Sequence, residues 1–196
     1  MDKKAIASYF DSLAPNWDAG LVRREDVIDT ILSGAQVCEG VDVLDVACGT
    51  GVLIGDYLAR GARSVTGIDI SPKMVSIARK KYPQPNVTFF CADVETAKFE
   101  RKFDCVMVYN AFPHFPDPQS LVCTLAGLLK PGGTLTVAHG MSRAAIDAHH
   151  TGSASAHSIG LMDADALATL FAQYLDVTVQ ISDDRMYQVT GRAQLL

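Results

Sequence analysis

VLDVACGTG, residues 43–51, reads as a buried strand that ends in a tight turn of small residues and opens a helix. Gly49 and Gly51 put backbone rather than side chain against whatever binds there, because glycine takes positive φ and lets a ligand approach closely. In open α/β sheets such a turn, at the carboxyl end of a strand, is where a nucleotide-like cofactor sits. Spacing excludes the two common phosphate-binding turns. The residue three after Gly51 is Ile54, so the third glycine of G-x-G-x-x-G is absent, and no G-K-[ST] follows.

Outward from this turn, apolar strand-like runs alternate with helical patterns, which predicts a parallel sheet covered on both faces. Strands are expected at 42–47, 64–70, 87–92, 103–109, 133–139, 175–182 and 186–192. Helices are expected at 23–38, 51–60, 72–81, 119–129 and 163–174. Ser71-Pro72 reads as a cap followed by proline at the first helical position. Pro131-Gly132-Gly133 reads as a stop for the helix before it. Only Asp183-Asp184-Arg185 separates the last two strands, too short for a crossover, so they form an antiparallel hairpin. The expected fold is α/β: a seven-stranded, mostly parallel sheet with helices on both faces and an antiparallel C-terminal hairpin. Two segments fall outside this scheme. Residues 1–20 carry Tyr9, Phe10 and Trp17 and read as a lid segment. Residues 140–160 are small, polar and histidine-bearing and read as a lid or acceptor insert within one catalytic domain, 21–196.

Composition narrows the function classes. Apolar residues make up 48% and charged residues 20% of 196, ordinary for one soluble domain. A net charge of −5 argues against nucleic acid as partner, since phosphate binding needs a basic footprint. No apolar run resembles a signal peptide or a membrane span, so a cytoplasmic location is expected. The 5 cysteines form no C-x-x-C pair, and Cys91 and Cys105 fall in strand-like runs and are expected in the core.

With these residues in hand, D-x-[AG]-x-G-x-G after a strand resembles the first motif of the class I, Rossmann-like S-adenosylmethionine-dependent methyltransferases. GIDISPKMV (67–75), CADVE (91–95), FDCVMVYNAFPHFPDP (103–118) and LLKPGGTLTVAHG (128–140) follow in the family's order. The style is similar to the small-molecule branch that includes quinone-biosynthesis methyltransferases. The resemblance implies S-adenosyl-L-methionine as methyl donor. Asp69 would accept from the ribose hydroxyls, a carboxylate having two acceptor oxygens to match a vicinal diol. Asp93 would accept from the adenine amine and Val94 would offer its N–H, with Ile70 and Met74 packed on the ring. Asp45, Ala47, Gly49 and Gly51 would line the methionine end, closed by Asn110. IASYFDSLAPNWD (6–18) resembles the family's lid, with Tyr9, Phe10 and Trp17 as its contacts.

All five histidines, His114, His139, His149, His150 and His157, fall between residues 114 and 157. Three readings stand side by side: a general base among them, His114, His139, His149 and His150 being the candidates; a metal ion held by two or three imidazoles; or ordinary loop and core residues. The expected function is methyl transfer to a small-molecule acceptor in a histidine-rich pocket. The alternative is a methyltransferase-fold protein that binds S-adenosylmethionine or a metal without transferring a methyl group. A macromolecular methyltransferase is disfavoured by the acidic charge and by Asn110-Ala111-Phe112-Pro113 where an N-P-P-Y-type motif would stand.

Overall fold

The computed structural model describes residues 2–149 and 158–195. Seven strands form one sheet in the order β3-β2-β1-β4-β5-β7-β6. β1 (Asp42–Val46), β2 (Ser64–Asp69), β3 (Val87–Cys91), β4 (Phe103–Tyr109) and β5 (Leu129–His139) run parallel to their neighbours. β7 (Tyr187–Arg192) pairs antiparallel with both β5 and β6 (Asp176–Ser182). All five residues of β1 are buried, as expected for a central strand covered on both faces.

The helices divide between those faces. α2 (Glu25–Gly34), α3 (Ile54–Ala59) and α4 (Pro72–Lys81) bury Ile31, Tyr57 and Val75 in a cluster with Val43 and Val65. α5 (Pro118–Gly127), α6 (Arg143–His149) and α7 (Ala164–Phe171) bury Leu121, Ile146 and Phe171 in a second cluster with Leu44 and Val137. Adjacent residues Val43 and Leu44 enter opposite clusters because strand side chains alternate. α1 (Lys3–Leu13) lies outside this double layer and packs on α4.

α4 begins as expected. The Ser71 side chain accepts from the Met74 N–H, and Pro72 fills the first turn. Two expectations need correction. Cys91 is exposed, because β3 is an edge strand, whereas Cys105 on β4 is buried. Pro131-Gly132-Gly133 lies inside β5 rather than before it. Leu129 already pairs with Phe103, and the register shifts before Thr134 pairs with Cys105. Gly132 takes φ +75° in this bulge. A Cβ at Gly133 would come within 2.9 Å of the Asp104 carbonyl oxygen, so glycine serves a close backbone crossing rather than a stop.

Candidate functional site

The carboxyl ends of β1, β2 and β4 open into a mainly apolar cleft. Its floor is the turn after β1, where Ala47, Gly49 and Gly51 have φ of 55°, 55° and 83°. Positive φ at Ala47 is strained for a residue with a Cβ, the kind of backbone that persists at ligand-binding turns. The Cys48 N–H ties the turn to β2 by donating to the Ile68 carbonyl at 3.1 Å.

Asp69 ends β2 and is 8% exposed. Its Oδ2 accepts from the Gly49 N–H at 2.8 Å, and its Oδ1 from the Ser71 N–H at 2.8 Å. One carboxylate thus fixes both the β1 turn and the start of α4, and each oxygen keeps acceptor capacity for a ligand. Burial pushes its pKa up, a trend opposed by the Ser71 and Gly49 N–H groups. Asp45 is more deeply enclosed. Burial, followed by the charge of Asp69, pushes it up to about 8. Asp93 follows β3; its Oδ1 accepts from the Glu95 N–H at 3.1 Å. Its Oδ2 accepts from Lys3 Nζ at 2.6 Å, and Lys3 also reaches Glu95 Oε2 at 2.7 Å.

Lys3 belongs to the roof. α1 and the 3-10 turns after it are held over the cleft by carboxylates on the roof itself. Asp11 Oδ1 accepts from Ser71 Oγ at 2.5 Å and from the Lys73 N–H at 3.0 Å. Asp18 accepts from Thr50 Oγ1 at 2.6 Å and from Lys81 Nζ at 2.8 Å. Beneath them Phe10 stands edge-on to Trp17 at 6.0 Å and to His114 at 5.0 Å, joining the roof to the loop after β4. Asn110 closes the β4 end. It sits at φ 53°, where Asn is better tolerated than most residues, and its Oδ1 accepts from the Gly140 N–H at 3.0 Å.

Of the residues expected to hold the cofactor, Trp17, Asp45, Ala47, Gly49, Asp69, Ile70, Met74, Asp93, Val94 and Asn110 line this cleft. Tyr9 and Gly51 do not. Phe10 takes the lining position, with Tyr9 edge-on behind it at 5.3 Å. Gly51 is needed for the turn itself, since a Cβ there would meet the Tyr82 ring at 2.9 Å. Lys3, Ile6 and Tyr109 line the cleft without having been singled out. Lys3 and Ile6 carry no sequence signal. Tyr109 could have been found from its place beside Asn110 at the end of a strand.

The histidines separate. His114 lines the cleft. His139 ends β5, only 2% exposed, opposite Tyr187 of β7, with the two rings edge-on at 6.0 Å. It is not among the cleft's lining residues, because its side chain enters the face covered by α6 and α7. The backbone of His149 ends α6; His150 and His157 lie outside the described residues. Among the described residues no group of three or more His, Cys, Asp or Glu is placed to hold a metal ion. The 183–187 turn reaches the same sheet edge but not the cleft. It is pinned to α2, with Arg185 paired to Asp26 and its carbonyl accepting from Arg24 at 3.1 Å.

A group with a vicinal diol, an amine and an aliphatic chain fits this donor and acceptor set, as tested by the turn's open backbone and by the acceptors of Asp69 and Asp93. Comparisons with known proteins agree. Residues 43–133 match a methyltransferase domain family. The malonyl-[acyl-carrier protein] O-methyltransferase of Acetivibrio thermocellus is 35% identical over 138 residues, 69% of this chain and 49% of that protein. The ubiquinone biosynthesis O-methyltransferase of Coxiella burnetii is 33% identical over 144 residues, 69% of this chain and 61% of its own length. The chain thus spans only about half to three-fifths of the length of these curated relatives. In fold it is similar to a Haloferax volcanii putative methyltransferase solved with the Trm112 activator. That match has a TM-score of 0.81 at 22% identity and covers 94% of this chain and 97% of the other. Magnesium protoporphyrin IX methyltransferase of Synechocystis, solved with S-adenosylhomocysteine, superposes with a TM-score of 0.73 at 19% identity, covering 99% and 100%. Residues 43–133 thus match a methyltransferase domain, and the chain shares its fold with methyltransferases, one of them solved with S-adenosylhomocysteine.

Proposed function

We propose that the chain transfers a methyl group from S-adenosylmethionine to a small-molecule acceptor. The observation that carries this reading is the sharing of one cleft by Asp69, Asp93 and Asp45 around an open-backbone turn, under an aromatic roof. Asp69 would accept from the ribose hydroxyls. Asp93 would accept from the adenine amine beside the Val94 N–H, with Ile70 and Met74 packed on the ring. Asp45, Ala47, Gly49 and Asn110 would surround the amino-acid end. S-adenosylmethionine supplies a methyl group already activated on a sulfonium, so the chain needs no nucleophile of its own; it must align the acceptor and exclude water. Residues 1–20 act as the lid, on the support of the Asp11 and Asp18 contacts and the Phe10–Trp17–His114 edge contacts.

For the acceptor, His114 is the histidine we place at the reacting end, as general base, since it lines the cleft and contacts the roof. The relatives are named for O-methylation, which makes an oxygen on a small, largely apolar molecule the first class to test. The test is calorimetry with S-adenosylhomocysteine and NADH, followed by transfer of a labelled methyl group to phenols and carboxylic acids. Binding of S-adenosylhomocysteine with label transfer is expected. Selective binding of NADH overturns the proposal.

A further inference from the structure

α3 carries a buried hydroxyl that nothing in the fold engages. Tyr57 is 0% exposed, and its oxygen makes no hydrogen bond of good geometry among the described residues. The ring alone would fill the apolar cluster it shares with Leu53, Ile54 and Val75. A buried hydroxyl left unbonded costs stability that phenylalanine would spare, so the oxygen calls for an explanation of its own.

Its neighbour supplies one. Strand alternation puts Asp45 on the same face of β1 as Val43, the face that Tyr57 helps to cover. On the sheet itself Asp45 stands between Gly67 of β2 and Met107 of β4, neither of which has a donor side chain. Three backbone donors of the turn are spent elsewhere: the Cys48 N–H on the Ile68 carbonyl, the Gly49 N–H on Asp69 and the Gly51 N–H on the Cys48 carbonyl. Burial pushes the Asp45 carboxyl up, and the Asp69 charge adds to the push. Among the described residues, Tyr57 is the one hydrogen-bonding group that opposes it. The other titratable groups facing the pair are Cys48 and Asp56, the latter paired with Arg23 at 2.8 Å. α2 and α4 bring apolar side chains to this cluster, Ile31 and Val75 among them.

A carboxyl and a phenol can share one hydrogen bond in two ways. A protonated Asp45 donates to the Tyr57 oxygen; an ionised Asp45 accepts from the Tyr57 hydroxyl. The phenol keeps its own proton in both, since burial and then the Asp45 charge push it well above its ordinary value. We propose that Tyr57 is the positioning residue of Asp45: its hydroxyl turns to donate when a cationic ligand end ionises the carboxyl, and so holds the carboxylate in the cleft wall. The Asp45 proton leaves to solvent, and no other covalent bond changes. The assignment rests on the functional reading above, which brings the cofactor's ammonium to Asp45.

Calorimetry with S-adenosylhomocysteine across a series of pH values tests this in the wild type, Tyr57→Phe, Asp45→Asn and the double variant. With the donor gone, ionised Asp45 is harder to make. Tyr57→Phe should therefore weaken binding about 10-fold at neutral pH, the difference between a hydrogen bond to a charged group and one to a neutral group. The rise of affinity with pH should move to higher pH by about one unit, the same factor of ten. In the Asp45→Asn background nothing titrates at this position, so Tyr57→Phe should change affinity by the same small factor at every pH. A purely structural loss of the hydroxyl would act alike in both backgrounds. Should Tyr57→Phe fail to fold, 3-fluorotyrosine at position 57 keeps the ring and makes a stronger donor, and the rise should move to lower pH. Profiles that do not move with the position-57 variant, or that move equally with Asn at position 45, overturn the assignment. Failure of the wild type to bind S-adenosylhomocysteine at all overturns the functional reading and this assignment with it, a different result from unmoved profiles.

Discussion

Asp69 and Asp45 enter one cleft with different duties. Asp69 already accepts two backbone N–H groups, so its removal touches both ligand and turn. Asp69→Ala should weaken S-adenosylhomocysteine by about 1.5–3 kcal/mol per charged hydrogen bond lost. Calorimetry checks this, with circular dichroism confirming the fold; unchanged affinity would remove Asp69 from the site. Asp45 is held up to about 8 in the folded state against an ordinary 3.8. The folded chain therefore holds a proton that the unfolded chain releases. The associated stability is complete below 3.8 and is lost as the pH rises to about 8. Asp45→Asn keeps a neutral side chain throughout, so its melting temperature should pull ahead of the wild type across that window. Ligand binding should move the other way. A cationic amino-acid end favours ionised Asp45, so wild-type affinity should rise with pH towards about 8 while the Asn variant stays flat. For His114, substitution by Ala should slow methyl transfer roughly 10²- to 10⁴-fold with little change in cofactor binding, if the acceptor must lose a proton. A near-normal rate would leave catalysis to alignment alone.

The element whose role is most exposed to test is α1. It contributes Ile6 to the buried set and attaches by packing on α4 and through the polar contacts of Lys3, Asp11 and the following Asp18, part-buried for the first two and exposed for the Asp18–Lys81 pair. The two core clusters are built from other elements. Removing residues 1–19 should therefore leave a cooperative, folded sheet by circular dichroism while greatly reducing turnover. Full activity in the truncated chain would reduce α1 to packing. Raised salt should loosen the Lys3 and Lys81 pairs more than the core, since exposed ion pairs are screened.

Across the whole molecule, the pole opposite the cleft is closed by charge. Asp42 begins β1, 5% exposed, and is paired with Arg63 and, at 2.8 Å, with Lys130. Lys130 also meets Asp104 at 2.8 Å, linking the starts of β1, β2, β4 and β5. The Arg63 hydrogen bond, then those from Lys130 and Ser64, hold Asp42 well below the usual carboxylate range. A depressed pKa means stability present above the ordinary 3.8 and lost as the pH falls below it. Asp42→Asn should lower stability by about 1–3 kcal/mol at neutral pH and narrow its gap from the wild type in acid. Denaturant titrations at neutral and acid pH check this; an unchanged midpoint at neutral pH would make the network ornamental to stability.

The pattern of apolar runs determined the seven strands and the closing hairpin, because strand alternation and a three-residue connection are local properties. The turn VLDVACGTG and the acids Asp69 and Asp93 were legible for the same reason: each lies at the end of a strand, and strand ends are written in the sequence. What the tertiary structure decided is where distant segments meet. Cys91 is exposed because β3 happens to be the edge, an outcome of strand order that an apolar run does not encode. His114 and His139 look equivalent as residues after parallel strands. His114 faces the cleft, while His139 faces the sheet surface covered by α6 and α7. Phe10 rather than Tyr9 lines the cleft because the orientation of α1 is set by its contacts with Ser71, Asp93 and Glu95, 60 to 92 residues away along the chain. Local sequence fixes a residue's backbone state; which partner its side chain meets depends on long-range packing, and the site is made of such meetings.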